Sequence, residues 1–570
     1  MRHWAGRPCS IVIPVKAMKK KTKRPWGKEA PVKAPAKSLH WAWGHYLLLA
    51  IGLAFTSYVR WRYLQLPLER DEGEFGYIAQ RILNGLSPFE AYNYKLPGVP
   101  FVYALFMRIF GQTISAIHIA LLAANLGAAL ILFACFRKVI GNWWAAIASI
   151  IFSLFTLDLT VLGTAAHATQ FVCFFMLAGL FFLLRDKQNP ANSFLAGLMM
   201  GASFVMKQPA FLFVPAGAVF LLILRLKNKP IDRLKTLTHL LVYGSGTGLP
   251  YLAIVGAALR HDQFGLFWKW TFTYPMYYIS SLAPAQGWDN FKIVFGEIVG
   301  RFPWLWLMAG IGLAALVICK GRPVTHRVLV PLLLMVSAAA ITPGYYFHHH
   351  YFILLMPAVA ICVGRAFGYV SDLLGRYTSA SGILSVGLFV LLAGAGIFSE
   401  KGFYFSYTND EYLSIRYLHN PFREATKVAD YIQSITSAED KILVVGSEAE
   451  IYFYTGRAPA SGYLFVHGMV SRQPKNLEMQ NEFIAEAERT RPEVMVLCGV
   501  GYSWLAQPGT PDAVLRWFDG YAAAHYEITG MVDMLDQGTL YRWGSETKNY
   551  RPQADNYLVV YKRKKDSSAE

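Results

Sequence analysis

A polytopic α-helical membrane protein of about eleven spans, with a small C-terminal α/β soluble domain, is the fold class the sequence predicts. Three observations point there. Of 570 residues, 54% are hydrophobic and 16% charged. A soluble chain carries about 25% charged residues, so a cytosolic enzyme is disfavoured and disorder over most of the length is excluded. Charge-poor stretches fit to cross a ~30 Å hydrocarbon core recur as far as residue 400. Beyond it, short apolar runs alternate with stretches of helical spacing.

Residues 1–40 read as a basic cytoplasmic tail without packed structure. Residues 1–43 hold eleven Lys or Arg against one acid, Glu29, which is ten of the chain's net +18. A basic run ahead of a long apolar segment is a cytoplasmic anchor under the positive-inside rule, so no nucleic-acid partner is expected. Eleven spans follow within 41–400, near 41–59, 112–136, 142–160, 165–184, 192–206, 209–225, 236–258, 302–319, 328–345, 351–370 and 380–398. The short runs 192–206 and 209–225, parted by Lys207-Gln208-Pro209, suggest a broken helix pair. Arg137-Lys138, Arg185 with Lys187, the 225–235 cluster, and Lys320 with Arg322 and Arg327 fall on one side. That side is cytoplasmic, and an odd count places the C-terminal domain across the membrane. The first apolar run starts too late and is too long for a cleavable signal peptide. Six cysteines, at 9, 135, 173, 319, 362 and 498, include no CxxC pair, so they imply neither a disulfide framework nor a zinc site.

Residues 401–562 change character. Helical spacing over 421–436 precedes an apolar strand from Lys441 to Gly446, and a polar helix over 477–490 leads to a second, Glu493 to Cys498. Strand-like runs follow near 526–532 and 556–562. The alternation predicts a small α/β domain. No GxGxxG or P-loop follows either strand, so no nucleotide site is expected there. Residues 563–570 read as a disordered tail.

Four places could carry chemistry. The first outward loop, 64–100, contains the run Leu68 to Tyr77 with four acids in ten residues. Ile78, Ile82 and Leu83 then recur at helical spacing up to Gly85, predicting an amphipathic helix on the membrane surface. Lys95 sits in the turn-rich run after it. The plain reading is a solvated loop and an interfacial helix. The functional reading is a carboxylate and a cation held at the lipid boundary, as chemistry on a lipid-linked phosphate requires. Asp158 is the second place, the single Asp, Glu, Lys or Arg between Asn142 and Leu184. An ionisable group at membrane depth costs at least ~2.5–3.5 kcal/mol, so it either works or sits where a span emerges. Lys207 either meets a phosphate or snorkels to the interface. Finally, the run Gly344 to Tyr351 holds His348, His349 and His350. Three successive histidines cannot face one point on a regular helix, so no zinc cage is expected from this run alone. An aromatic belt and donation to a phosphate are its two readings.

The run Glu69-Arg-Asp71-Glu72-Gly-Glu-Phe-Gly-Tyr77, with Asn84-Gly85 and Lys95-Leu-Pro97-Gly98, resembles the first outward loop of membrane glycosyltransferases of the GT-C fold. These include bacterial relatives of protein O-mannosyltransferases and of the lipid A aminoarabinose transferase. Lys207-Gln-Pro, the run His350 to Pro357, Val445-Gly446-Ser-Glu and Tyr454-Thr-Gly-Arg457 resemble further landmarks of that group. The resemblance implies an inverting transferase that moves a hexosyl or pentosyl group from a polyprenyl-phosphate carrier to a lipid, glycan or protein acceptor. The site would lie on the outer face of the bacterial cytoplasmic (inner) membrane. Asp71, with Glu72 beside it, matches the catalytic acid that takes the acceptor's proton, help worth typically about 10²–10⁴-fold. At an unperturbed pKa of ~3.9 it is ionised beforehand. Lys95 matches the lysine that contacts the carrier phosphate, where a preorganised cation stabilises the departing charge. Lys207 and His350 are assigned to the same donor phosphate, and Asp158 to a second acid in the next outward loop. Near His167, where some relatives carry a glutamate, this chain has Gln170. No nucleotide sugar is required, and a divalent metal stays open. The aromatic run Phe264 to Tyr278 is expected to anchor at the interface. A transporter or flippase of a lipid-linked sugar is the alternative, but no internal repeat supports it.

Overall fold

The computed structural model describes residues 43–565 except 93–94, 186–188, 228–230 and 319–323. The predicted basic tail over 1–40 lies outside the described residues. Helix α1 (Gly44–Arg62) closes on two arginines. Arg60 is buried, and its guanidinium donates to the carbonyls of Thr156 at 3.0 Å and Gly163 at 2.6 Å. The end of the first helix therefore pins the loop after the third apolar one.

The acidic run opens a helix instead of forming a loop. Glu69 caps α2 (Arg70–Leu83) in a reciprocal capping box with Glu72, and acids in the first turn suit the positive end of the helix dipole. Asn84 closes it, followed by Gly85 at φ +72°. The predicted amphipathic surface helix needs correction: α2 starts earlier, and Glu72 through Ala79 are all buried. Its cover includes the C-terminal α/β region, described below. Helix α3 (Gly98–Phe110) was not expected, and its 13 residues reach only about 20 Å.

Ten apolar helices follow: α4 (Ile114–Ile140), α5 (Asn142–Phe155), α6 (Ala168–Arg185), α7 (Pro190–Met206), α8 (Phe213–Leu226) and α9 (Arg233–Arg260), and then, after the short helices α10 (Phe264–Trp268) and α11 (Tyr274–Ile279) and the longer α12 (Pro284–Arg301), α13 (Pro303–Ile318), α14 (Val324–Ala340), α15 (Met356–Leu374) and α16 (Ser381–Ser399). With α1, a helix stands at each predicted position. Only six among the described residues are long and apolar enough to cross a membrane, or seven if α12 and α13, bent by 95°, make one span. The expected eleven spans are thus not reached by length and composition. Helices α5 and α7 have 14 and 17 residues, short of the ~20 a straight span needs. Eleven residues of α5 are buried, so its hydropathy reflects packing inside the bundle as much as contact with lipid.

The C-terminal region adds α17 (Asn409–Arg416), α18 (Phe422–Ile435), β1 (Lys441–Val445), α19 (Glu450–Thr455), β2 (Ala458–Pro459), α20 (Asn476–Thr490), β3 (Val494–Gly499), α21 (Gly501–Trp504), α22 (Ala513–His525), β4 (Tyr526–Leu535), β5 (Gly538–Trp543) and β6 (Tyr557–Arg563). The strands form one mixed sheet ordered β2-β1-β3-β6-β4-β5, parallel across β2, β1 and β3 and antiparallel elsewhere. Side chains alternate between its faces. Ile442 and Val444 share a core with Val428 and Ile432 of α18, while Leu443 and Val445 pack with Phe483 of α20 and Phe518 of α22. Strands β2 and β5 were not expected. The predicted disordered tail is corrected at its start: β6 runs to Arg563, and the Lys564 N–H donates to the His525 carbonyl at 2.9 Å. Residues 566–570 lie outside the described residues.

The C-terminal α/β region docks on α2. A Cβ on Gly73 would lie 2.4 Å from the backbone of Glu450, so α2 and α19 meet where only glycine fits. The Leu68 N–H donates to the Tyr454 hydroxyl at 2.7 Å, Gln80 to the Phe453 carbonyl at 3.1 Å, and Arg70 to Glu448 at 2.7 Å.

Candidate active site

Asp71 and Glu74 stand three apart on α2 and so share a face. Lys95 arrives from the segment before α3, and its Nζ donates to Asp71 Oδ1 at 2.6 Å and to Glu74 Oε2 at 2.7 Å. The ammonium also lies 4.7 Å from the Phe75 ring centroid and 5.3 Å from that of Phe465. The Glu74 side chain is 1% exposed, Lys95 15% and Asp71 28%, so the cluster opens at Asp71. Beside it runs a narrow cleft with a cavity of about 20 Å³, lined mostly by apolar side chains, Ile78, Phe89, Pro97, Phe267 and Trp270 among them, with Lys95.

A second group of side chains converges on Asp71. Its carboxylate and the ring nitrogens of His167 and His350 lie within 4.8 Å of one another. The two imidazoles stack at 4.1 Å between centroids, and Lys207 Nζ lies 3.4 Å from His350 Nε2 and 3.8 Å from the Tyr351 ring centroid. Each group has a local cause. His167 ends the loop that Arg60 holds. Lys207 takes an extended conformation between α7 and the 3₁₀ turn Gln208–Leu212, so the predicted break is present. His350 is the second residue of the 3₁₀ turn His349–Leu355, after a tight loop with Gly344, Tyr345 and Phe347 all at positive φ. Non-glycine residues held there store strain of about 1–3 kcal/mol each.

The charges balance unevenly. Burial would raise Asp71, but Lys95, with His167 and Lys207, outweighs it and holds the carboxyl well below the usual range. Burial wins at Glu74, pushing it up to about 7 against the pull of Lys95. Burial draws Lys207 down to about 7 and His167 down to about 4, in both cases against Asp71. His167 is 2% exposed, and neither of its ring nitrogens has a hydrogen-bond partner. Two imidazole nitrogens and a carboxylate oxygen are a donor set that suits zinc and similar divalent ions, and His167, which lacks a hydrogen bond and whose Nδ1 lies 3.6 Å from Glu69 Oε1, fits such a ligand.

The structure brings together Asp71, Lys95, Lys207 and His350 among the residues singled out from sequence, but not Glu72 or Asp158. Successive helix positions point about 100° apart, so Glu72 turns away from Lys95. Its carboxylate instead accepts from the Ala166 N–H at 2.6 Å and meets His118 Nε2 at 3.1 Å. Asp158 caps the turn Leu159–Val161, accepting from the Thr160 N–H at 2.8 Å, and the charges bearing on it are Arg301 and Arg416. It shapes the loop that ends in His167. Sequence reasoning missed Glu74, whose i+3 spacing from Asp71 was the available signal, and passed over His167 as a site residue. No signal marked Phe465.

The architecture is similar to the GT-C fold in which solved membrane glycosyltransferases are built. Residues 94–245, a little over a quarter of the chain, match the family model described as dolichyl-phosphate-mannose-protein mannosyltransferase. The fold is similar to that of ArnT from Cupriavidus metallidurans bound to undecaprenyl phosphate, at 14% identity and a TM-score of 0.54, covering 91% of this chain and 98% of that one. It is also similar to the archaeal oligosaccharyltransferase AglB from Archaeoglobus fulgidus in complex with an inhibitory peptide and a dolichol-phosphate, at 14% identity and a TM-score of 0.53, covering 90% and 75%. The Archaeoglobus fulgidus oligosaccharyltransferase in complex with zinc and sulfate matches at 13% identity and a TM-score of 0.53, covering 88% and 74%. No curated protein matches the chain in sequence.

Proposed function

We propose that this chain transfers a sugar from a polyprenyl-phosphate carrier to an acceptor hydroxyl at the outer face of the bacterial cytoplasmic membrane, with inversion at the anomeric carbon. The observation that carries this reading is Lys95 clasped between Asp71 and Glu74 beside an apolar cleft. The carrier's phosphate would take up the ammonium while its first isoprene units lie along the cleft. Arg137 and Lys138 at the end of α4, Arg185 at the end of α6 and Arg225 at the end of α8 mark the cytoplasmic ends under the positive-inside rule, which supports an outward site.

The pairing with Lys95 also suggests how the base is switched on. While the lysine holds it, Asp71 is a weak base. A phosphate drawing the ammonium toward itself returns basicity to the carboxylate as the donor arrives. The acceptor oxygen then attacks the anomeric carbon, its proton passes to Asp71, and the bond from that carbon to the phosphate oxygen breaks. Polyprenyl phosphate leaves with the electron pair, steadied by Lys95 and Lys207. A divalent ion held by Asp71, His167 and His350 would supply Lewis-acid stabilisation of the phosphate.

Asp71→Asn is expected to abolish transfer in membranes supplied with a polyprenyl-phosphate sugar while carrier binding survives. Lys95→Ala is expected to lose both. Full transfer by Asp71→Asn overturns the mechanism, and movement of the lipid-linked sugar across vesicles without product would support a transporter instead.

A further inference from the structure

This inference rests on the transferase reading and concerns what lies next to the phosphate position. The loop between β2 and α20 reaches from the soluble domain to the cluster. Along it Leu464 and Val466 are 1% exposed, while Phe465 and His467 are half-buried. Phe465 faces the Lys95 ammonium at 5.3 Å, and its ring lies 5.5 Å from that of His467. Both domains fix this loop. The Tyr92 N–H donates to the Gly462 carbonyl at 2.7 Å, and the Val466 N–H donates to Ser447 Oγ at 3.3 Å. The Gln480 amide donates to the Met469 carbonyl at 2.9 Å. A Cβ on Gly462 would fall 2.6 Å from the Tyr92 ring, and one on Gly468 would fall 2.2 Å from the Tyr274 hydroxyl. The loop is therefore a set wall, held three residues from Lys95 through Tyr92.

Its chemistry is distinctive. Burial, with the charge of Lys95 adding to it, draws the His467 imidazole down to about 4. At neutral pH the ring is uncharged and presents one donor and one acceptor. An aromatic face next to a neutral imidazole suits an uncharged polyol; it offers nothing to a second anion, and the imidazole has no use beside an isoprenoid tail. The group covalently attached to the phosphate is a polyol.

We propose that Phe465 and His467 recognise the sugar of the lipid-linked donor, Phe465 packing against its C–H face and His467 hydrogen bonding a hydroxyl. The soluble domain would then set donor specificity. Binding to the full-length protein is measured with two probes, polyprenyl phosphate and polyprenyl-phosphate mannose, for the parent, Phe465→Leu, His467→Gln and Phe465→Tyr. The first two variants are expected to weaken the sugar-bearing probe about tenfold and to leave the bare carrier within about twofold, with Phe465→Tyr near the parent. Equal losses for both probes, or no loss for either, overturn the inference and leave the transferase reading standing. A parent protein that binds neither probe overturns both.

Discussion

Glu72 and Ala166 are joined by a hydrogen bond of 2.6 Å from the Ala166 N–H to Glu72 Oε1. The residue after Asp71 is thereby tied to the residue before His167. The same carboxylate oxygen meets His118 of α4, whose other ring nitrogen donates to the Leu64 carbonyl at 3.0 Å. One buried carboxylate thus sets α2, the loop between α5 and α6, and α4 relative to one another, and with them two members of the candidate site.

Glu72→Ala is therefore expected to lower kcat about 10²-fold with little change in donor KM, because a misplacement near 1 Å costs that much while binding groups persist. His118→Ala should do less, and the double variant no more than Glu72→Ala alone. Steady-state kinetics on the three variants checks this, and a loss confined to KM would contradict it.

Lys207 carries its charge below about 7 and loses it above. Affinity for polyprenyl phosphate is expected to fall as pH rises through 7, by up to about tenfold per unit, and Lys207→Arg should remove that fall because arginine stays charged. The carrier's own ionisation is common to both proteins, so the ratio of their dissociation constants between pH 6 and 9 isolates the lysine.

Glu74 has its pKa raised to about 7 in the folded protein from an ordinary value of 4.5, so between those values the native state holds a proton that the unfolded chain has released. Stability from this group is present below about pH 4.5 and is lost as pH rises through 7. Glu74→Gln is expected to melt a few degrees above the parent at pH 8 and no higher than the parent at pH 4.5. Thermal unfolding in detergent at the two pH values measures the difference.

A divalent ion is expected to bind the purified protein, and His167→Ala or His350→Ala should weaken zinc binding about 10–100-fold. Because Lys95 competes for Asp71, Lys95→Met should tighten it. Calorimetric titration with zinc alone gives both signs without recourse to activity.

Much of the site was legible in residue order. The acids of 69–74, the lysine at 95 and the break at 207 are local signals, since helix caps, turns and interrupted hydropathy are written in neighbouring residues. Glu72 faces away from Lys95 because successive positions of a helix point about 100° apart, and the sequence-based reading of 69–77 as a loop did not carry that constraint. The eleven predicted positions all carry helices, but length and composition do not confirm each as a span: α5 is largely enclosed by other helices, and hydropathy alone does not separate a protein interior from lipid.

The sequence by itself determined the membrane class, the positions of the apolar helices, the α/β character of the C-terminal region and the candidate pairing of Asp71 with Lys95. Only the tertiary structure decided that Glu74 shares the lysine, that His167 and His350 stack on each other within reach of Asp71, and that a loop of the C-terminal α/β region places Phe465 against the ammonium. The physical reason is range. Capping, periodicity and hydropathy act over one or two turns, whereas these contacts join segments whose approach is fixed by buried surfaces that no short window of residues contains.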